Sequence, residues 1–141
     1  MSKKVYKNVA ELIGNTPLYQ IEDTNIYVKL EKFNVGGSVK DRAVLGMLQD
    51  AIKKGVLTSE SVLIEATSGN TGIALAMLGA VYKIPVVIIM PETMSVERRQ
   101  LVRAYGAKLV LTPGSKGMQG AMDKMQEMLN ENSNYVSLQQ F

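Results

Sequence analysis

The feature that most constrains this chain is a change of hydrophobic rhythm that repeats from about residue 37 onward. Short apolar runs alternate there with longer stretches whose apolar residues recur every three or four positions. Lys40 to Lys54 carries Ala43, Val44, Met47, Leu48, Ala51 and Ile52, the spacing of one helical face, and Gly55 is placed to end that helix. Val62 to Ala66 predicts a strand, and Asn70 to Tyr82, rich in Ala, Leu and Met, a buried helix. Pro85 to Met90 is apolar and β-branched, as expected of a strand covered on both faces. Ser95 suits the N-cap of a helix running to Tyr105 and closed at Gly106. Lys108 to Leu111 predicts a strand and Gly117 to Asn130 a helix, and Tyr135 to Leu138 begins one more element.

Strands that alternate with helices of this length need crossover connections. The expected class is therefore α/β: an open, mostly parallel sheet with flanking helices. The first 33 residues differ, because Thr16 to Leu18 and Ile26 to Leu30 read as short strands with only polar turns between them. This shift places a boundary near residues 34–37. The expected division is residues 1–36, strands that pack on a larger domain, and residues 37–141, a small α/β domain. No internal repeat or low-complexity segment is visible.

With 141 residues, 46% hydrophobic and 21% charged, the chain can bury one modest core. It contains no Cys and no His, which excludes disulfides, thiol nucleophiles, Cys/His zinc sites and His-based triads. Acid–base work then falls to Lys, Asp, Glu or Tyr. The net charge of +3 is carried by lysines and arginines spread along the chain, a solvated surface rather than a nucleic-acid footprint. The longest apolar run, Ile84 to Met90, is too short to span a bilayer and contains Pro85. Lys3, Lys4 and Lys7 are followed by no apolar h-region, which argues against a secretory signal. A cytoplasmic home is the expectation. The apolar stripe Met118, Met122, Met125, Met128 and Leu129 reads as core packing rather than an adaptable groove.

Two motifs carry chemistry. In Gly36 to Arg42, GGSVKDR, the glycines allow close backbone approach, Ser38 can cap the following helix, and Lys40 lies in its first turn. A cation there opposes the macrodipole, about half a positive charge at that end, a setting that suits an amine acting as a nucleophile. Taken alone the signal is weak, since a lysine beside Asp41 on a helix more often faces solvent. In Thr67 to Gly72, TSGNTG, a Gly-containing turn joins a strand to a helix and offers backbone N–H groups to one anion. It matches neither the dinucleotide fingerprint nor the P-loop, so a carboxylate or single phosphate fits better than a triphosphate. Local physics leaves that reading level with a capped helix start that binds nothing. Together, an amine and an anion cradle at turns of one open sheet would line a crevice at its carboxyl edge.

The chain resembles the cysteine synthase (O-acetylserine sulfhydrylase) family of pyridoxal-phosphate enzymes. The resemblance rests on IGNTPL (13–18), KLE (29–31), GGSVKDR (36–42), EATSGNTGIALAM (65–77), MPETMSVERR (90–99), AYGAKLVLTPG (104–114) and the terminal QQF. It implies the small domain of a fold type II enzyme, with pyridoxal 5'-phosphate as cofactor and Lys40 as the Schiff-base and proton-transfer residue. Asn70 would bond the cofactor's ring hydroxyl. Thr67, Ser68, Gly69, Asn70, Thr71 and Gln140 would bind the substrate carboxylate. The implied reaction replaces the acetoxy group of O-acetylserine, which leaves as acetate, by sulfide to give cysteine.

Cystathionine β-synthase-like and cysteine desulfhydrase-like lyases are the near alternatives. A non-catalytic module that binds the carboxyl-terminal peptide of serine acetyltransferase is the alternative of another class. The resemblance also implies a homodimer in the longer enzymes, of which this chain matches the amino-terminal half. Two departures stand out. Val35 replaces the proline or small residue common in the turn before the lysine. The cofactor-phosphate loop and the group that contacts the pyridine nitrogen have no match here, so little activity is expected of this chain alone.

Overall fold

The computed structural model describes residues 5–139. After a 3-10 turn at Val9–Leu12, strands β1 (Leu18–Gln20) and β2 (Tyr27–Lys29) form an antiparallel pair, with Leu18 opposite Lys29 and Gln20 opposite Tyr27. Then follow α1 (Lys40–Lys53), β3 (Val62–Ala66), α2 (Asn70–Tyr82), β4 (Val86–Pro91), α3 (Val96–Ala104), β5 (Lys108–Thr112), α4 (Gly117–Glu131) and β6 (Tyr135–Val136). The strands β3 to β6 make one parallel sheet in the order β5-β4-β3-β6. The α/β class and the parallel sheet read from the sequence are both present.

Element boundaries follow backbone chemistry. The expected strand at Pro85 starts at Val86, because proline has no N–H to donate; its carbonyl still accepts from the Leu63 amide at 2.8 Å. Ser95 caps α3 as expected, its hydroxyl accepting the Arg98 amide at 3.4 Å. Gly55, past the end of α1, takes φ +71°. The first short strand begins at Leu18 rather than Thr16, with Pro17 joining the ladder only through its carbonyl, which accepts the Leu30 amide at 2.9 Å.

Side-chain alternation along the strands builds two core layers. Leu63, Val86, Ile88 and Met90 face one side and pack with Val44 and Leu48 of α1, Leu75 and Leu78 of α2 and Val102 of α3. Ile64, Ala66, Val87 and Ile89 face the other side and meet Ala121, Met118, Met125, Met128 and Leu129 of α4. Helix α2 is buried from Thr71 to Gly79 because it is enclosed by α1, α3 and the sheet. Val9, Ala10 and Ile13 pack against the first layer. The six residues of β1 and β2 are exposed.

The strand order sets the position of the site. From β3 the chain steps outward to β4 and β5, then α4 crosses the opposite face and returns it to the other flank of β3 as β6. The progression therefore reverses at β3. In open α/β sheets, clefts form beyond the carboxyl ends of the strands at such a reversal.

Candidate active site

Beyond the carboxyl end of β3 lies a cleft of about 550 Å³ lined by Val39, Lys40, Ala66, Thr67, Ser68, Gly69, Asn70, Thr71, Met118 and Met122. The two motifs singled out in the sequence, separated by 26 positions between Lys40 and Ala66, thus share one cavity. Gln140 lies outside the described residues.

Lys40 is the first residue of α1 and is half-buried. Its amide donates to the Ser38 hydroxyl at 3.1 Å, but the N-cap position falls on Val39 with no side-chain cap, so Ser38 supports the helix start from one residue earlier than the cap expected of it. On the other side, Thr67 and Thr71 are buried, Ser68 and Gly69 half-buried, and Asn70 exposed. The Gly69 amide turns back to the Thr67 hydroxyl at 3.4 Å, and the Thr67 amide is held by the Ile89 carbonyl at 3.0 Å. Helix α2 has Gly69 at its N-cap and no side-chain cap. No side chain of TSGNTG caps the helix, and within its first turn the Gly72 amide closes back on the Gly69 carbonyl at 3.1 Å.

The sequence reading missed four parts of this arrangement. Arg98 Nη1 donates to the Ser68 carbonyl at 3.1 Å, tying the 67–71 turn to α3; among scattered surface arginines it carried no local signal. Met118 and Met122 do more than fill core, forming with Val39 an apolar wall of the cleft. Glu65, 5% exposed at the end of β3, accepts from the Ser137 hydroxyl at 3.1 Å, and burial pushes its carboxyl pKa up. Asp41 is fully buried behind Lys40, and burial raises its pKa as well.

A polar network anchors the base of the lysine turn. Arg42 grips Glu31 at 2.8 and 3.0 Å. Thr16 donates to Glu31 at 2.6 Å, Lys29 donates to the Thr16 carbonyl, and Asn34 joins the Glu31 side chain, the Ser38 carbonyl and the Gly14 amide. The Arg42 guanidinium and these donors hold the Glu31 carboxyl at a pKa of about 2. The network joins the segments 14–16 and 29–34 to the start of α1. Among the described residues no group of three or more His, Cys, Asp or Glu could hold a metal ion, and no helix is long and apolar enough to cross a membrane.

The cleft thus lies at the reversal of a parallel sheet and is lined by an amine and by the glycine-containing turn that opens α2. The chain belongs to the family of pyridoxal-phosphate dependent enzymes, whose family model matches residues 9–141. Within that class it is similar to cysteine synthases and to enzymes related to them. It is 49% identical over 141 residues to the cysteine synthase of a Flavobacterium species, covering 96% of this chain and 46% of that protein. The crystal structure of cysteine synthase from Entamoeba histolytica superposes with a TM-score of 0.93 at 46% identity, over 96% of this chain and 44% of that one. A hydrogen sulfide-producing enzyme from Fusobacterium nucleatum superposes with a TM-score of 0.91 at 45% identity, over 98% of this chain and 47% of that one. The chain spans about half the length of the relatives it matches.

Proposed function

We propose that this chain carries the lysine and carboxylate-binding part of a cysteine-synthase-type site, which exchanges the acetate of O-acetylserine for sulfide. The observation that carries the reading is the shared cleft of Lys40 and Thr67–Thr71. The residues fit pyridoxal phosphate at its ring end: an amine for the aldehyde carbon, the Asn70 amide for the ring hydroxyl, and the apolar wall of Val39, Met118 and Met122 for the ring face. When bound, the cofactor supplies an electron sink for charge developing at the substrate α-carbon.

The chain's own residues divide the remaining work. The Lys40 Nζ would hold the cofactor's aldehyde end and, as a free amine, would take the substrate α-proton. The backbone N–H groups and hydroxyls of Thr67, Ser68, Gly69, Asn70 and Thr71 bind the substrate carboxylate at the start of α2, with Gln140 as a further contact. The apolar wall excludes water from the carbon where the acetate leaves. Residues 37–141 act as the unit that carries these groups. Residues 1–36, with their exposed β1–β2 pair, serve as the segment that meets a larger domain. The anion that this reading leaves without a cradle is the cofactor phosphate, so we expect weak cofactor binding and little turnover from the 141-residue chain. A second reading, sulfide release from cysteine, draws support from the similarity to the hydrogen sulfide-producing enzyme.

The test is to mix the chain with pyridoxal phosphate, reduce with borohydride and map the labelled peptide by mass spectrometry. Label concentrated on Lys40, and absent from that peptide in Lys40→Ala, is expected. Label scattered over the surface lysines would overturn the assignment.

A further inference from the structure

Lys40 faces the cleft from a turn that contains two glycines, and the residue behind it holds that turn in place. Asp41 has no exposed surface. One of its carboxylate oxygens accepts the Gly36 amide at 2.5 Å, while the other, Oδ1, is buried without a partner. The approach is so close that a Cβ on Gly36 would meet Asp41 Oδ1 at 2.4 Å. Gly37 then takes φ +85°, its amide donates to the Asn34 carbonyl at 2.9 Å, and Ser38 receives the amide of Lys40. Three consecutive positions before the helix, Gly36 to Ser38, are thus bonded in place, with the buried Asp41 holding the first of them.

Stability does not account for this choice. A buried carboxylate with a single hydrogen bond is costly, and apolar replacements of buried charges are often neutral or stabilising. A carboxylate can do one thing that an apolar side chain cannot: it fixes the direction of one backbone N–H. Here that N–H belongs to the turn that aims Lys40. We propose that Asp41 is the positioning residue for Lys40, clasping the Gly36–Ser38 turn from the buried side so that the lysine amine is held in the cleft with the 67–71 turn. The proposal rests on the reading of Lys40 as the amine that takes the cofactor's aldehyde.

Pyridoxal phosphate and borohydride supply the test, with the label on Lys40 measured relative to that on the exposed Lys53 and Lys54 of the same chain. Asp41→Ala is expected to lower this ratio about fivefold or more, because the amine loses its alignment. Asp41→Asn, whose amide oxygen can still accept the Gly36 N–H, should stay within about twofold of the native chain. Gly36→Ala, which forces the turn off Asp41, should lose the ratio as Asp41→Ala does, and it covers the case in which Asp41→Ala fails to fold. If Asp41 only stabilises the fold, the variants melt earlier while folded molecules keep the native ratio, and the proposal is overturned. Uniform labelling of the native chain overturns the Lys40 assignment and this proposal together; native selectivity that survives in all three variants overturns only the role of Asp41.

Discussion

Arg42 and Glu31 meet in a two-point clasp, Nε to Oε2 at 2.8 Å and Nη2 to Oε1 at 3.0 Å, across eleven positions of sequence. The clasp joins the turn after β2 to the first turn of α1, one residue beyond the buried Asp41 and two beyond Lys40. Arginine's planar fork suits this geometry in a way that lysine's point charge does not. The turn that leads into α1 is thus held by two different devices: the buried Asp41 carboxylate on the Gly36 amide and the charged pair of Arg42 and Glu31.

The Glu31 clasp gives the fold an acid limb. Its carboxyl sits at about 2, against an ordinary value of 4.5, so the stability it contributes is complete above pH 4.5 and is lost as the pH falls from there towards 2. Burial shifts Asp41 and Glu65 the opposite way, so they favour the folded state as the pH drops and offset part of that loss. In Glu31→Gln, thermal melts across this range should show a flatter acid limb and a lower plateau near neutrality. A pH profile identical to that of the native chain would show that the clasp is not formed in solution.

Arg98 should tune the 67–71 turn without holding the fold together. It is exposed, and its bond to the Ser68 carbonyl fixes one side of the Ser68–Gly69 peptide while the Thr67 hydroxyl fixes the other. Arg98→Met removes that charge-assisted bond. We expect affinity for L-serine, followed by the amide shifts of residues 67–72 in an NMR titration, to fall roughly threefold to tenfold, with the melting temperature nearly unchanged. Equal affinity in the two proteins would show that the turn keeps its shape unaided.

Gly79 marks where α2 presses on the sheet. An added Cβ would lie 2.2 Å from Val86 Cγ2 and 2.9 Å from the Ile84 carbonyl oxygen. Alanine gains about 1 kcal/mol of helix propensity at such a site, while overpacking costs roughly 1–3 kcal/mol. The cost wins here, because a backbone oxygen cannot swing aside as a side chain can. Gly79→Ala should lower the melting temperature by roughly 3–8 °C; a rise would mean that α2 sits further from β4 than the packing indicates.

Much of the fold was legible along the chain, since periodicity reports which face of a segment is buried. The rhythm of residues 40–54 and the apolar run of residues 62–66 became α1 and β3 with little adjustment. Misplaced ends, such as those of β1 and β4, trace to prolines whose missing N–H delays strand pairing. The two motifs were visible because glycine turns beside a lysine or before a helix are local patterns. Their neighbours were not. Nothing local distinguishes Asp41 from a solvent-facing acid, Arg98 from other surface arginines, or Met122 from the core methionines of its own stripe.

The sequence by itself determined the element types, their alternation, the parallel sheet that this alternation requires, and the two glycine-containing motifs around Lys40 and Thr67–Gly72. Only the tertiary structure decided that Lys40 and Thr67–Thr71 share a cleft. The strand order reverses at β3, and that reversal depends on α4 crossing to the far face rather than on any one segment. It also decided which charges are buried, since the desolvation of Asp41 and the pairing of Glu31 come from residues brought together across the chain. Local sequence sets what each backbone segment prefers, but distance and dielectric exist only once the segments have packed.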